Sequence, residues 1–458
     1  MTFVDALLPF LSSYGLTILF YTVLILVIYL FRKKFDWPAK FIGLYRTKIG
    51  LKLMDRLGTP DGSFRERLGR FLLLVAFPVI LATIALLLLV QAKLVAFSPD
   101  VLVLLNIILV SSSLIYFVGL ALRPIRTAGI QGVIVGFTGM AFIVGMLLKG
   151  LADLVFVPGA PPVISPVLPG VPIPGLGIKV PLIIGWLALF VVIVIHEFSH
   201  GVVTRAHKIP VTSSGLMVFG PLGGAFVEPD EKRLNKASTS VKLSIFAAGP
   251  FSNLVTSLAL YLLLSLAVAP LLTGFVATNG VVFSQVTPGL PAAQAGVQAG
   301  VVYDRVDNVT VGTPDAFIAA LNGLAPGENV TLASSETGRS VIITATANPR
   351  DASRGYLGVV MTTNLKEPGL RWLFDIVTWI ISLLTWIFIL SLGIGLANLL
   401  PLGPVDGGRM LQAASEHAFG EKRGRKVWTR ITILMIIIIV ILLIVPFVIQ
   451  PLLSLLPG

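Results

Sequence analysis

The run Ile183-Ile-Gly-Trp-Leu-Ala-Leu-Phe-Val-Val-Ile-Val-Ile195 passes without a charged side chain into His196-Glu197-Phe198-Ser199-His200. An apolar stretch of this kind, continued to Ala206, suits a helix that crosses ~30 Å of hydrocarbon at ~1.5 Å per residue. Residues four apart stack on one helical face, so His196 and His200 can both reach one tetrahedral zinc ion. Glu197, one position on, is placed to act on water at the metal instead of coordinating it. Two imidazoles and a carboxylate in such surroundings are costly unless paired or metallated, and ionisable residues within a membrane mark function by default. The chain has only four histidines in 458 residues, so a chance H-E-x-x-H is rare.

The rest of the sequence agrees with a bilayer as solvent. Residues are 55% hydrophobic and 12% charged, with a mean hydropathy of +0.94, whereas soluble domains carry roughly 25% charged residues. About eight stretches read as spans, near 14–31, 71–96, 101–122, 128–150, 181–206, 240–272, 370–399 and 428–457. The second and third can form a hairpin through Ser98-Pro99-Asp100, and the fourth is Gly-rich, interrupted at Thr138-Gly139. The apolar N-terminus lacks a basic n-region and reads as a retained span. With no cysteine, any zinc site must use His, Asp or Glu.

The net charge of +12 would suit nucleic acid, but eleven of the 34 basic residues fall between Arg32 and Arg70, directly between two spans. Cytoplasmic positive charge of this sort fixes topology and meets anionic membrane lipid; no nucleic-acid motif accompanies it. Within it, Phe41, Ile42, Leu44, Ile49, Leu51 and Leu53 among Lys and Arg are expected to lie on the membrane surface. Alternation of spans puts Arg123, Arg126, Arg205, Lys208, Lys232–Lys242, Arg409 and Lys422–Lys426 on the cytoplasmic side. The Pro-rich loop Pro158–Gly177 and the 274–364 region fall outside. Every short basic loop lands on one side of the membrane.

The 274–364 region differs in kind. Val330 and Leu332, then Val341-Ile-Ile-Thr-Ala-Thr346, alternate as strands do, with turn signals at Pro288-Gly289 and Pro326-Gly327. A short helix is expected at Pro314–Leu324, with Thr313 as N-cap.

Zinc needs a third protein ligand. His207 lies beside Lys208, and His417 in a polar basic stretch. Asp406, in Asn398-Leu-Leu-Pro-Leu-Gly-Pro-Val-Asp406-Gly-Gly408, is the better candidate, at the cytoplasmic end of its span like the histidine pair. Pro401 and Pro404 must break the helix there, Gly407-Gly408 permit unusual backbone angles, and broken backbone at membrane depth is tolerated where it lines a polar cavity.

These elements together resemble the site-2 protease family of intramembrane zinc metalloproteases (peptidase family M50). The matching residues are His196-Glu197-Phe198-Ser199-His200 with Gly201, Gly249-Pro-Phe-Ser-Asn253, and Asn398-Leu-Leu-Pro401 through Asp406-Gly407. The resemblance implies that His196, His200 and Asp406 hold Zn²⁺, that Glu197 is the catalytic base, and that Asn253 and Asn398 support an extended substrate or its transition state. It also implies that Val211–Glu228 is a membrane-re-entrant hairpin able to pair with substrate. The 274–364 region resembles a PDZ domain, most clearly at Pro288-Gly-Leu-Pro-Ala-Ala-Gln-Ala-Gly-Val-Gln-Ala-Gly300, although Val301 stands where an Asp commonly follows. Peptide contact and a steric filter are both open to it.

The expected architecture is a polytopic α-helical membrane protein with an inserted β-rich PDZ-like domain. N-terminal spans with a basic loop cover 1–155, and an extracytoplasmic loop covers 156–180. The catalytic membrane core covers 181–273 and 365–458, interrupted by the PDZ-like domain at 274–364. The expected activity is zinc-dependent hydrolysis of peptide bonds within or near the spans of single-span membrane-protein substrates, as in regulated intramembrane proteolysis. The setting is a prokaryotic cell membrane, with the active site toward the cytoplasm. A membrane zinc-binding or transport protein is the alternative. It would distribute polar residues along a pathway, and it has no need of Glu197 beside a ligand.

Overall fold

Apolar runs in a bilayer must satisfy every backbone group within the segment, and helices do so. In the computed structural model these runs lie on α1 (Phe3–Leu30), α3 (Phe64–Gln91), α4 (Pro99–Ala121), α5 (Ile125–Phe156), α6 (Leu182–Ala206), α8 (Thr239–Leu263), α11 (Arg371–Asn398) and α13 (Glu421–Ile444). Between them come the shorter α2 (Leu51–Gly58), α7 (Glu231–Lys236), α9 (Pro291–Gln294), α10 (Pro314–Ala320) and α12 (Asp406–Phe419). The structure describes residues 3–39, 41–157, 162–173, 178–220, 222–268, 278–287, 289–348, 351–365 and 371–449. Parts of the Pro-rich loop Pro158–Gly177, and Pro288 of the PDZ-like signature, lie outside them. Among the described residues, seven helices are long and apolar enough to cross a membrane: α3, α4, α5, α6, α8, α11 and α13; α1 has a shorter apolar segment, Tyr14–Leu30. The chain is therefore a polytopic helical membrane protein that also carries β-sheets.

Two compact units divide it, Met1–Leu262 with Ile381–Gly458, and Leu263–Ile380. In the first, Leu73, Phe77 and Ile80 of α3 bury against Leu109 and Tyr116 of α4, Ala128 of α5 and Phe251 of α8. A buried polar chain ties three of these helices: Tyr116 donates to Gln131 at 2.9 Å, and Gln131 donates to the Leu73 carbonyl at 3.0 Å. The Gly-rich character of α5 proves to be its contact face. A Cβ at Gly129 would meet Ser244, at Gly132 Phe251, at Gly136 Met410 and at Gly139 Leu399. Small residues at helical spacing let backbones approach where no hydrophobic force separates protein from lipid.

The segment after α1 departs from expectation. The stretch Phe41–Leu53 is divided between a strand and the start of a helix. Ile42–Thr47 forms β2, which pairs with β1 (Asp36–Ala39) on one side and β3 (Val211–Phe219) on the other; β3 in turn pairs with β4 (Leu222–Pro229). The two halves are stitched at Ser214: Thr47 Oγ1 donates to its carbonyl at 3.0 Å, and Ser214 Oγ donates to the Ile49 carbonyl at 2.6 Å. Leu51 and Leu53 belong to α2, which packs against α6; Met54 is buried, and a Cβ at Gly201 would strike its sulfur. The pairing partner of β2 lies more than 150 residues away, while Phe41, Ile49 and Leu53 keep exposed side chains.

The second unit carries three small antiparallel sheets, with orders β13-β5-β6, β10-β9-β7-β8 and β11-β12. The strands are β5 (Thr278–Val286), β6 (Val302–Tyr303), β7 (Arg305–Val306), β8 (Val309–Thr310), β9 (Asn329–Ala333), β10 (Ser340–Thr344), β11 (Thr346–Asn348), β12 (Asp351–Tyr356) and β13 (Val359–Leu365). Val330 and Leu332 point inward while Asn329 and Thr331 do not, the alternation of a half-buried strand. They join Val281, Phe283, Val306, Phe317 and Ile343 in one apolar core. Thr313 Oγ1 accepts from the Ala316 N–H at 3.1 Å and caps α10, which stops at Ala320, short of the expected Leu324.

Candidate metal centre

α6, α8 and the turn from α11 into α12 bring three donors together. His196 Nε2 lies 3.0 Å and His200 Nε2 3.2 Å from Asp406 Oδ2, and the two ring nitrogens are 3.3 Å apart. Zinc bonds of about 2.0–2.1 Å at tetrahedral angles put neighbouring donors about 3.3 Å apart. The three atoms therefore stand as one face of such a tetrahedron, with the fourth position left to water or substrate. His207 caps the end of α6 and His417 lies in the last turn of α12; neither joins the cluster.

Gly249 makes the space. A Cβ there would lie 2.4 Å from His200 Nε2 and 2.5 Å from His196 Nε2, so any side chain would displace the ring nitrogens. The donor set and this cradle both fit zinc. His200 Nδ1 donates to the Ile245 carbonyl at 2.7 Å, which leaves Nε2 free as the ligand atom. The equivalent nitrogen of His196 faces Asn253 of α8, whose Nδ2 is 3.1 Å away.

Asp406 opens α12 directly after the turn made by Pro401 and Pro404. Gly407 and Gly408 do not serve backbone angle, as the sequence suggested, since neither has a positive φ. They serve space: a Cβ at Gly407 would lie 2.3 Å from the Leu399 carbonyl oxygen, and one at Gly408 1.6 Å from that of Leu402. The turn can fold back over α12 only because both side chains are missing.

Glu197 stands outside the trio, and the Val227 N–H of β4 faces its carboxylate. β4 ends its sheet, so among the described residues its outer edge pairs with no strand. Asn398 donates to the carbonyl of Ile394 in its own helix at 3.0 Å; among the described residues no hydrogen bond joins it to the cluster.

Arg46 of β2 is a residue that sequence reasoning missed. It reaches across the sheet to Glu228 at 2.8 Å and to Asp36 at 2.5 Å, and holds the Glu228 carboxyl below its ordinary range. Ser213 also donates to Glu228. The pairing of β2 with β3 was the missing signal, because only that register brings Arg46 beside the base of β4.

A family model described as Peptidase family M50 matches residues 184–441, more than half of the chain. An uncharacterized protein of Methanocaldococcus jannaschii is 32% identical over 137 residues, 29% of this chain and 34% of that protein. The chain thus spans about a third of the length of the curated relative it matches.

Proposed function

The chain belongs to peptidase family M50, a family of membrane metalloproteases, and from that premise we propose that it is a zinc-dependent endopeptidase cutting within or near the spans of single-span membrane proteins. The observation that carries this reading is the trio of His196, His200 and Asp406 at tetrahedral spacing with Glu197 beside it. When bound, zinc supplies Lewis acidity to the scissile carbonyl and to the attacking water. Glu197 takes the water proton as general base and delivers it to the leaving amine nitrogen. The cluster's short distance from a basic, cytoplasm-facing end of α6 supports water entry from that side.

A peptide bond within a helix is shielded, so the substrate must unwind before it is cut. The free edge of β4 supports capture of the unwound segment by strand addition, which would satisfy its backbone groups next to Glu197. In the Leu263–Ile380 unit we read a PDZ-like module with a parallel use. β13 also ends its sheet, and a groove of about 710 Å³ lies along it, lined by Phe317 and Ile318 of α10, by Leu321 just after it, and by Tyr356–Val359 and Met361. Asn322, Asn348, Ser353 and Arg354 also line it, and the mixed lining suits an extended peptide that offers an apolar side chain to Phe317 and Ile318.

Wild-type protein and Glu197→Gln, each with a single-span model substrate, test the reading. Zinc is expected in both, and cleavage should fall about 10²- to 10⁴-fold in the variant. Equal cleavage by the two proteins, or no zinc in either, would sink it.

A further inference from the structure

Asn253 is completely buried. Its backbone carbonyl accepts from Ser257 Oγ and from Ser391 Oγ of α11, each at 3.0 Å. α11 comes so near that a Cβ at Gly395 would lie 3.2 Å from Asn253 Cβ. With the backbone pinned between two helices, the amide meets His196 Nδ1 through Nδ2, while Oδ1 is buried without a hydrogen-bond partner.

A histidine that offers Nε2 to a cation carries its ring proton on Nδ1 and must donate it. An amide nitrogen cannot accept that hydrogen bond, but the amide oxygen can. A half-turn about Cβ–Cγ exchanges the two atoms in place. One of the two amide atoms stays unpartnered in either orientation, so the tautomer of His196 decides between them.

We propose that Asn253 is a positioning residue of the metal centre, its Oδ1 accepting the Nδ1–H of His196 and so fixing the tautomer and ring plane that present Nε2. In the opposite orientation, Nδ2–H serves the other tautomer, in which His196 Nε2–H donates to Asp406. An amide serves both tautomers without adding charge. A carboxylate serves only the ligand-competent one, and a leucine serves neither. This assignment rests on the zinc reading above. It moves Asn253 from the substrate side, where the sequence placed it, to the back of a ligand.

The test uses the full chain in detergent, stripped of metal and titrated with zinc against a chromophoric chelator, as wild type, Asn253→Leu and Asn253→Asp. The Leu variant should bind zinc about 10- to 100-fold more weakly, and the Asp variant within about threefold of wild type, because outer hydrogen bonds to metal-bound imidazoles are worth that much. The visible absorption of the Co²⁺-loaded protein should shift in the Leu variant and be retained in the Asp variant. Wild-type affinity in the Leu variant would overturn the proposal and leave the zinc reading standing. Equal losses in both variants would also overturn it, since packing on α8 would then be the cause. A wild type that binds no zinc would overturn both readings.

Discussion

Among the described residues, β4 and β13 each end a sheet with one edge unpaired, and each lies beside a helix: β4 next to α6, and β13 next to α10. Their backbones offer an extended chain the same thing, a row of free donors and acceptors. They differ in what borders the edge. Beside β4 stands Glu197, next in sequence to His196 of the candidate metal centre, while beside β13 stand Phe317, Ile318 and Leu321. An open strand edge beside a helix thus recurs in both units. Chemistry depends on a few side chains placed beside one of them.

The comparison can be broken at its chemical end first. Gly249→Ala should cost zinc affinity on the order of 100-fold or more, because its Cβ would stand where the ring nitrogens converge; metal analysis of the purified protein reads this directly. Stoichiometric zinc in that variant would show that the cradle is not needed. Next comes the edge of β4. Val227→Pro removes the N–H that faces Glu197, at an edge position where proline is tolerated in a sheet. One lost hydrogen bond should lower kcat/KM about tenfold with zinc retained. An unchanged kcat/KM would show that this N–H does not support Glu197. The smallest effect belongs to the other edge. Ile318→Lys, at a position 52% exposed, should weaken binding of an apolar extended peptide by about 1 kcal/mol, roughly fivefold, with zinc content unaltered. Unchanged peptide binding, measured by titration with a fluorescent peptide, would separate the two edges in function as well as in surroundings.

Legibility in the sequence followed the distance over which each feature is encoded. The H-E-F-S-H run and its helix are local, so periodicity alone put His196 and His200 on one face. Asp406 could be chosen because the two prolines before it forbid a continuing helix. The purpose of Gly407-Gly408 could not be read, since it depends on carbonyl oxygens of the folded-back turn. The support behind His200 is a backbone carbonyl, that of Ile245, and leaves no trace in residue identity. The β2–β3 pairing could not be read for a related reason: strand partners are set by long-range register, and a short apolar run beside lysines does not name its partner.

Among the described residues, the sheet beside the candidate metal centre has two outer margins, β1 and β4, and of these β4 packs against α6. A margin of that kind holds one guest strand at a time, in one antiparallel or parallel alignment fixed by β4. With substrate docked on β4 as proposed, turnover would be serial: each product would have to peel away before the next chain could dock, and a product that clung would become its own inhibitor.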